Sequence, residues 1–383
     1  MEATEMEQLF SEFKETSLYH RYITNKHITP SLDALEKKLH IETIGVSVLN
    51  APIYAVKIGN GPKKILMWSQ MHGNESTTTK AVFDILNTLV SGIASVNPIL
   101  NACTIYIIPI LNPDGAKAYT RVNANNVDLN RDAQDRTQPE SQILRSVFDD
   151  FSPDYCYNLH GQRTIFSAGN TNKPATISFL APAQDVNCTV TPTRKIAMEI
   201  IAKMNETLQK LIPGQVGVYD DAFNLNCVGD TFMSENVPTM LFEAGHFAND
   251  YEREQTRKYI YIALMASLDY ISKNNIDGSL YQPYFDIPEN GKCFLDVILR
   301  NVRLDTSSEM VDVGILYQEK LIGNEVVFKP KVEKIEKLDT FYGHKEINFN
   351  GEVVLNDQSM PLEIGSENDF VVVNNEKISL LLK

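Results

Sequence analysis

Apolar residues recur at Leu9, Phe10, Phe13 and Leu18, a helical spacing that predicts a helix over 6–19. A second short helix is expected over 31–39, opened by Pro30-Ser31. Between 41 and 58 the pattern turns strand-like, and Asn50-Ala51-Pro52 supplies a hairpin connection. The apolar run at 64–69 reads as a buried strand, and a periodic helix follows over 81–89. Further strands are expected at 104–108, 155–159, 177–180 and 239–242, and helices over 140–151, 193–211 and 252–271. Such alternation implies α/β architecture, a sheet flanked by helices on both faces. From about residue 278 helical periodicity disappears. Short runs at 294–299, 311–316, 326–328, 352–355 and 370–373 are broken by Asn, Asp and Gly, the texture of a small β domain. The chain therefore divides into a main domain over 1–277 and a β-rich accessory domain over 278–383, as a length of 383 residues favours.

Composition narrows the function classes. A hydrophobic fraction of 43% and a charged fraction of 22% are those of an ordinary globular chain. The net charge of −14 argues against nucleic acid, which needs a basic face. The acidic start, Met1-Glu2-Ala3-Thr4-Glu5, has neither the basic nor the apolar region of a signal peptide. The longest apolar run, 103–111, is too short to span a bilayer, so no membrane partner is expected. Five cysteines without a C-x-x-C pair suit reduced thiols, and the cytoplasm is the expected address.

Four stretches carry candidate chemistry. Met71-His72-Gly73-Asn74-Glu75 falls at a strand-to-helix turn, where Gly73 permits a tight bend and Asn74 can cap the helix. A histidine and a carboxylate three apart can share a divalent ion, although a polar turn alone explains the spacing as well. Arg121-Val122-Asn123 and Val127-Asp128-Leu129-Asn130-Arg131 lie in a polar loop that is either solvated surface or a carboxylate-recognising fork. His160 ends the strand at 155–159 and is either a hydrogen-bonded structural residue or a third metal ligand. Glu243 ends the strand at 239–242, where partial desolvation tunes a general base or buries a partnered acid.

In this order, with Asn112-Pro113-Asp114-Gly115 between the first and second, the stretches resemble the zinc metallocarboxypeptidase family over about 66–246 and more loosely to 271. The resemblance implies a three-layer α/β/α fold around a mixed sheet. It implies one zinc ion per chain on His72, Glu75 and His160, with Glu243 as general base and Arg121 stabilising the oxyanion. Asn130 and Arg131 would clamp the free carboxylate of a peptide or small amide substrate. Tyr219 stands near the place of a substrate-closing tyrosine but aligns only with a gap, and Val228 and Asp230 leave the pocket floor open between apolar and basic side chains. The sequence departs from the family after Arg131, where Asp132-Ala133 replaces the usual continuation with an aromatic. The short interval between Glu75 and His160, with no inhibitory prosegment evident, leans towards intracellular relatives that cleave small or unusual amides. His246 is expected to be structural, Cys227 lines the pocket without acting as a nucleophile, and His20, His27, His40 and His344 receive no role. Two rivals stand beside the peptidase: a deacylase of the aspartoacylase and succinylglutamate desuccinylase branch, and a binding protein that kept the fold without catalysis.

Overall fold

In the computed structural model, which describes residues 1–382, helix α1 (Ala3–Phe13) stops short of residue 19. The backbone beyond it is bonded elsewhere. Arg257 donates to the carbonyls of Glu15 (2.7 Å) and Leu18 (2.6 Å), and the Glu15 N–H donates to Asp84 (2.7 Å). Helix α2 (Asn25–Leu35) begins before Pro30-Ser31, contrary to the sequence reading. The Thr24 N–H donates to His27 Nδ1 (3.1 Å), a reciprocal cap that starts the helix and leaves Pro30 inside it.

β1 (His40–Val46) and β2 (Pro52–Ile58) form the expected hairpin, with Asn50 left-handed (φ 60°) at its turn. Next come β3 (Lys63–Ser69), α3 (Thr77–Leu89), α4 (Asn97–Ala102), β4 (Cys103–Ile108), α5 (Pro113–Ala118), α6 (Pro139–Phe151), β5 (Tyr155–Gly161) and the short β6 (Ser167–Ala168). β7 (Ile177–Leu180), α7 (Pro192–Leu208), β8 (Val216–Val218), α8 (Val228–Ser234), β9 (Thr239–Ala244) and α9 (Glu254–Lys273) follow. Eight strands make one mixed sheet in the order β1-β2-β4-β3-β5-β9-β7-β8, whose centre, β4 to β9, is parallel.

Strand β3 shows why both faces are covered. Ile65 and Met67 belong to the core beneath α1, α3, α4, α7 and α9, whereas Leu66 and Trp68 belong to the core beneath α6 and α8. Each such side chain contributes about 1.5–3 kcal/mol by leaving water, so the strand is apolar at every position from Ile65 to Trp68 rather than at alternate ones. From β3 the chain moves outward to β4, then returns to β5 on the other side of β3. That reversal opens a crevice beyond the carboxyl ends of β3 and β5.

The chain forms two compact units, Met1–Gln162 with Ala175–Asn290, and Arg163–Pro174 with Gly291 onwards. The sequence texture changes near 278, but Tyr284 and Ile287 still pack in the first core, which carries that unit on to Asn290. Past the two-residue strand β10 (Asn290–Gly291), the second unit holds β11 (Phe294–Val302), β12 (Val311–Ile322), β13 (Glu325–Glu336) and β14 (Tyr342–Asn348). These form a sheet ordered β13-β12-β11-β14, and β15 (Phe370–Val373) pairs with β16 (Glu376–Ser379). Among the described residues no single helix is long and apolar enough to cross a membrane.

Candidate metal centre and active site

The turn after β3 is held by backbone that only certain residues tolerate. Gln70 is left-handed (φ 51°), a strained state for a residue with a side chain. Its buried carboxamide sustains it, donating to the carbonyls of Ile23 (2.8 Å) and Gly73 (2.7 Å) and accepting from Thr79 (2.9 Å). A Cβ on Gly73 would lie 1.9 Å from the carbonyl carbon of Gly115, so α5 packs directly on the turn. The Asn-Pro-Asp-Gly stretch starts that helix: Asn112 caps it by accepting from the Gly115 N–H (2.8 Å) and donates to the Met71 carbonyl (3.1 Å). Asn74 does not cap α3, a correction to the sequence reading. Ser76 occupies the cap position, and its hydroxyl donates to the Arg21 carbonyl instead.

This scaffold places His72 and Glu75 against His160, across the crevice. His72 Nδ1 lies 2.9 Å from Glu75 Oε1, His160 Nδ1 3.0 Å from Glu75 Oε2, and the two Nδ1 atoms are 3.1 Å apart. One ligand atom from each residue falls within 4.8 Å of the others. His72 Nε2 faces Asp128 Oδ1 at 3.0 Å. That carboxylate draws the ring proton to Nε2, which in the neutral ring leaves a lone pair on Nδ1. Two imidazoles and a carboxylate then converge with more lone pairs than protons, a donor set suited to zinc. The carboxylate behind His72 is the outer support that metal-binding histidines commonly have.

Electrostatics follow from this crowding. Burial alone would raise the Glu75 carboxyl, but His72 and His160 hold it well below the usual carboxylate range. Asp128 is likewise lowered against burial by His72 and Arg121. Burial lowers His160, with Glu75 opposing, whereas His72 is raised because Glu75 and Asp128 outweigh its burial.

Glu243 arrives by register. β5 and β9 are parallel neighbours, and His160 pairs with Glu243. One Glu243 oxygen is buried with no hydrogen-bond partner among the described residues, and burial followed by the Glu75 charge pushes its carboxyl well up. Arg121, about half exposed, donates from Nε to Asp128 (3.0 Å) and from Nη1 to Glu75 (3.4 Å). Its loop is braced by buried Asn123, which donates to Gln138 (2.8 Å) and Glu140 (3.1 Å).

Asn130 is buried and accepts from the Val228 N–H (2.9 Å), so it ties the arginine-bearing loop to the start of α8. Arg131 is exposed, and its Nη1 donates to the Asn130 carbonyl (2.6 Å) and Cys227 Sγ (3.1 Å). Val228 packs in the core with Met71 and Leu129. Asp230 is buried and accepts from the Asn224 N–H (3.2 Å), and burial pushes its carboxyl up to about 6. Tyr219 donates to Gln162 (2.8 Å), and burial, then Glu243, raise its phenol. His246 is buried with its ring 4.7 Å from that of Tyr251.

Asp128 and Arg253 are supporting residues that the sequence does not single out. Asp128 lay inside a quoted motif but had no role until the fold set it behind His72. Arg253 is fully buried and donates to the carbonyls of Ala244 (2.6 Å), Gly245 and Gln162 (2.9 Å), joining the ends of the strands that carry Glu243 and His160. Its position ten residues after Glu243 gave no signal.

Residues 29–155 match the family model described as zinc carboxypeptidase, a stretch that includes His72, Glu75, Arg121, Asn130 and Arg131 but not His160, Tyr219 or Glu243. The chain is similar to gamma-D-glutamyl-L-diamino acid endopeptidase 1 of Lysinibacillus sphaericus, 38% identical over 81 residues, or 19% of this chain and 20% of that protein. It is also similar to carboxypeptidase SOL1 of Arabidopsis thaliana, 26% identical over 163 residues, or 37% of this chain and 33% of that protein. The matches thus span a third or less of those relatives' lengths. Among solved structures, a metallo-carboxypeptidase from Burkholderia cenocepacia shares the fold with a TM-score of 0.52 at 15% identity, covering 65% of this chain and 70% of that one. Carboxypeptidase A from Helicoverpa armigera does so with a TM-score of 0.51 at 14% identity, covering 69% and 80%. The chain is thus similar to the zinc carboxypeptidases in the matched stretch, and its first unit shares the fold of solved carboxypeptidases.

Proposed function

We propose that the chain is a zinc-dependent hydrolase that releases the C-terminal residue of peptides or related small amides bearing a free carboxylate. The convergence of His72, Glu75 and His160 within 4.8 Å carries this reading, with Glu243 one strand away. His72 and His160, each through Nδ1, and the Glu75 carboxylate would hold the ion. An ion so held supplies an acidified water and an electrophile for the scissile carbonyl. Glu243, kept basic by burial, accepts a proton from the attacking water and passes it to the leaving amine. The Arg121 guanidinium offsets charge growing on the carbonyl oxygen. Asn130 and Arg131 receive the terminal carboxylate, and Tyr219 borders the substrate on the Glu243 side. All five cysteines are free, which supports a reducing compartment such as the cytoplasm.

The test is metal analysis of the purified protein with a mass-spectrometric time course on mixed peptides and N-acyl amino acids. About one zinc per chain is expected, with single residues lost from free but not amidated ends. Amidation removes the anionic partner of a charge-assisted pair and should slow cleavage about ten- to a hundredfold. Arg131→Met should erase that preference. Hydrolysis of N-acyl amino acids alone, with every peptide untouched, would overturn the reading in favour of a deacylase.

The similarity to a gamma-D-glutamyl-L-diamino acid endopeptidase favours a second reading, cleavage of an unusual amide inside a small peptide. Gamma-glutamyl dipeptides in the same library distinguish the two.

A further inference from the structure

The hydroxyl of Tyr219 is held in a closed hydrogen-bond circuit, and the circuit fixes where every proton points. Buried Gln162 places its Nε2 2.7 Å from the Ala175 carbonyl oxygen and 3.0 Å from Ser178 Oγ. A backbone carbonyl only accepts, so that end of the carboxamide must be the nitrogen. Oε1 therefore faces the Tyr219 hydroxyl at 2.8 Å and the Asn290 Nδ2 at 3.3 Å, and it accepts from both. Ser178 Oγ closes the circuit by donating to Asn290 Oδ1 (3.1 Å). The phenolic proton is committed to Gln162, and the phenol oxygen keeps only lone pairs for anything else.

Two glycines are shaped around this circuit. A Cβ on Gly245 would lie 2.4 Å from Gln162 Nε2 and 2.0 Å from the Ala175 oxygen, and one on Gly217 would lie 2.0 Å from Asn290 Oδ1. The circuit also adjoins the proposed catalytic carboxylate, since Ser178 pairs with Glu243 across β7 and β9.

Resting on the hydrolase reading above, we propose that Gln162 is a positioning residue. It locks Tyr219 as a hydrogen-bond acceptor, so the substrate group that meets this tyrosine is an N–H donor and not a carboxylate.

The lock is tested without turnover by proton NMR of tyrosine-labelled protein. An exchange-protected hydroxyl signal should be present in the wild type, absent in Tyr219→Phe and absent in Gln162→Leu, with zinc content unchanged. The consequence is tested on tripeptides methylated at one backbone nitrogen at a time. At one position, methylation should raise the wild-type KM about fivefold, as expected for one lost neutral hydrogen bond, with kcat little changed. Tyr219→Phe and Gln162→Leu should each abolish that discrimination, and the double variant should show no additional loss. A missing hydroxyl signal in the wild type overturns the lock. Additive losses, or undiminished discrimination in Gln162→Leu, overturn its role in recognition. Should no peptide be cleaved, the hydrolase reading falls alone, because the hydroxyl signal still decides whether Gln162 holds Tyr219.

Discussion

His160 and Glu243 stand opposite one another on neighbouring parallel strands, so a metal-ligand candidate and a carboxylate of raised proton affinity are set side by side by backbone pairing alone. Strand pairing fixes their separation more firmly than two loops would, and a base must sit close to the water that it deprotonates. Replacing Glu243 by Gln keeps shape and removes the base. Zinc and substrate binding should persist while turnover falls at least about a hundredfold. Equal turnover by wild type and Glu243→Gln would remove Glu243 from the chemistry.

Asp128 fixes the ring of His72, whereas His160 Nε2 has no hydrogen-bond partner among the described residues. The two histidines should therefore differ in what they depend upon. Asp128→Ala should weaken zinc binding about ten- to a hundredfold, in line with losses of outer support elsewhere, and His72→Ala should lose the ion altogether. Competition with a chelator of known affinity reads both. Wild-type affinity in Asp128→Ala would show that His72 needs no such partner.

Much of this site was legible because its residues end strands or open helices whose apolar patterns are plain. Strand β3 is the clearest case, buried on both faces and ending at the turn that carries His72. Where the pattern was weak the reading failed. Helix α8 is seven residues long, with Gly229 and Asp230 in its first turn, too short for a period to show. Strand β14 is largely polar and half-exposed, and it pairs in parallel with β11 rather than through a hairpin. Helix α2 starts ahead of Pro30-Ser31 because the reciprocal Thr24 and His27 cap opens it and Pro30 is tolerated inside. The supporting residues were illegible for another reason. Asp128, Gln162 and Arg253 act on backbone or rings distant in sequence, and nothing local distinguishes them from surface polar residues.

Arg253 is the strongest of these cases. Its buried guanidinium donates to the carbonyls of Gln162, Ala244 and Gly245; without it Ala244 keeps the Gln162 N–H (3.0 Å) and Gly245 keeps the Thr256 hydroxyl (3.2 Å), but the Gln162 carbonyl loses its donor. An unsatisfied buried carbonyl costs about 1–3 kcal/mol, so Arg253→Met should lower stability by about that amount. Denaturant unfolding followed by Trp68 fluorescence reports it, since that tryptophan lies in the core of the same unit. A change below about 1 kcal/mol would show that water or a shifted side chain replaces the guanidinium.

The second unit carries a pH dependence of its own. Asp312 is buried in its sheet and accepts from the N–H groups of Asn301 (2.9 Å) and Leu338 (3.1 Å) and from Arg300 (3.2 Å). Burial opposes ionisation, but these donors prevail and hold its carboxyl below the ordinary value. A carboxyl lowered on folding binds its proton less readily in the native state than in the unfolded one. Its stabilisation is therefore complete above the unfolded value of about 4 and fades as the pH falls through the lower native value. Asp312→Asn has one acceptor oxygen where the aspartate has two, and it should cost about 1–3 kcal/mol at neutral pH. The difference between variant and wild type should shrink below about pH 4, as the wild-type carboxyl takes up its proton. Hydrogen exchange at peptides covering β11 and β12, each referred to the intrinsic exchange rate at its pH, isolates the unit from the rest of the chain. A difference that stays constant from pH 7 to pH 3 would mean that the charge of Asp312 contributes nothing and that only its shape is needed.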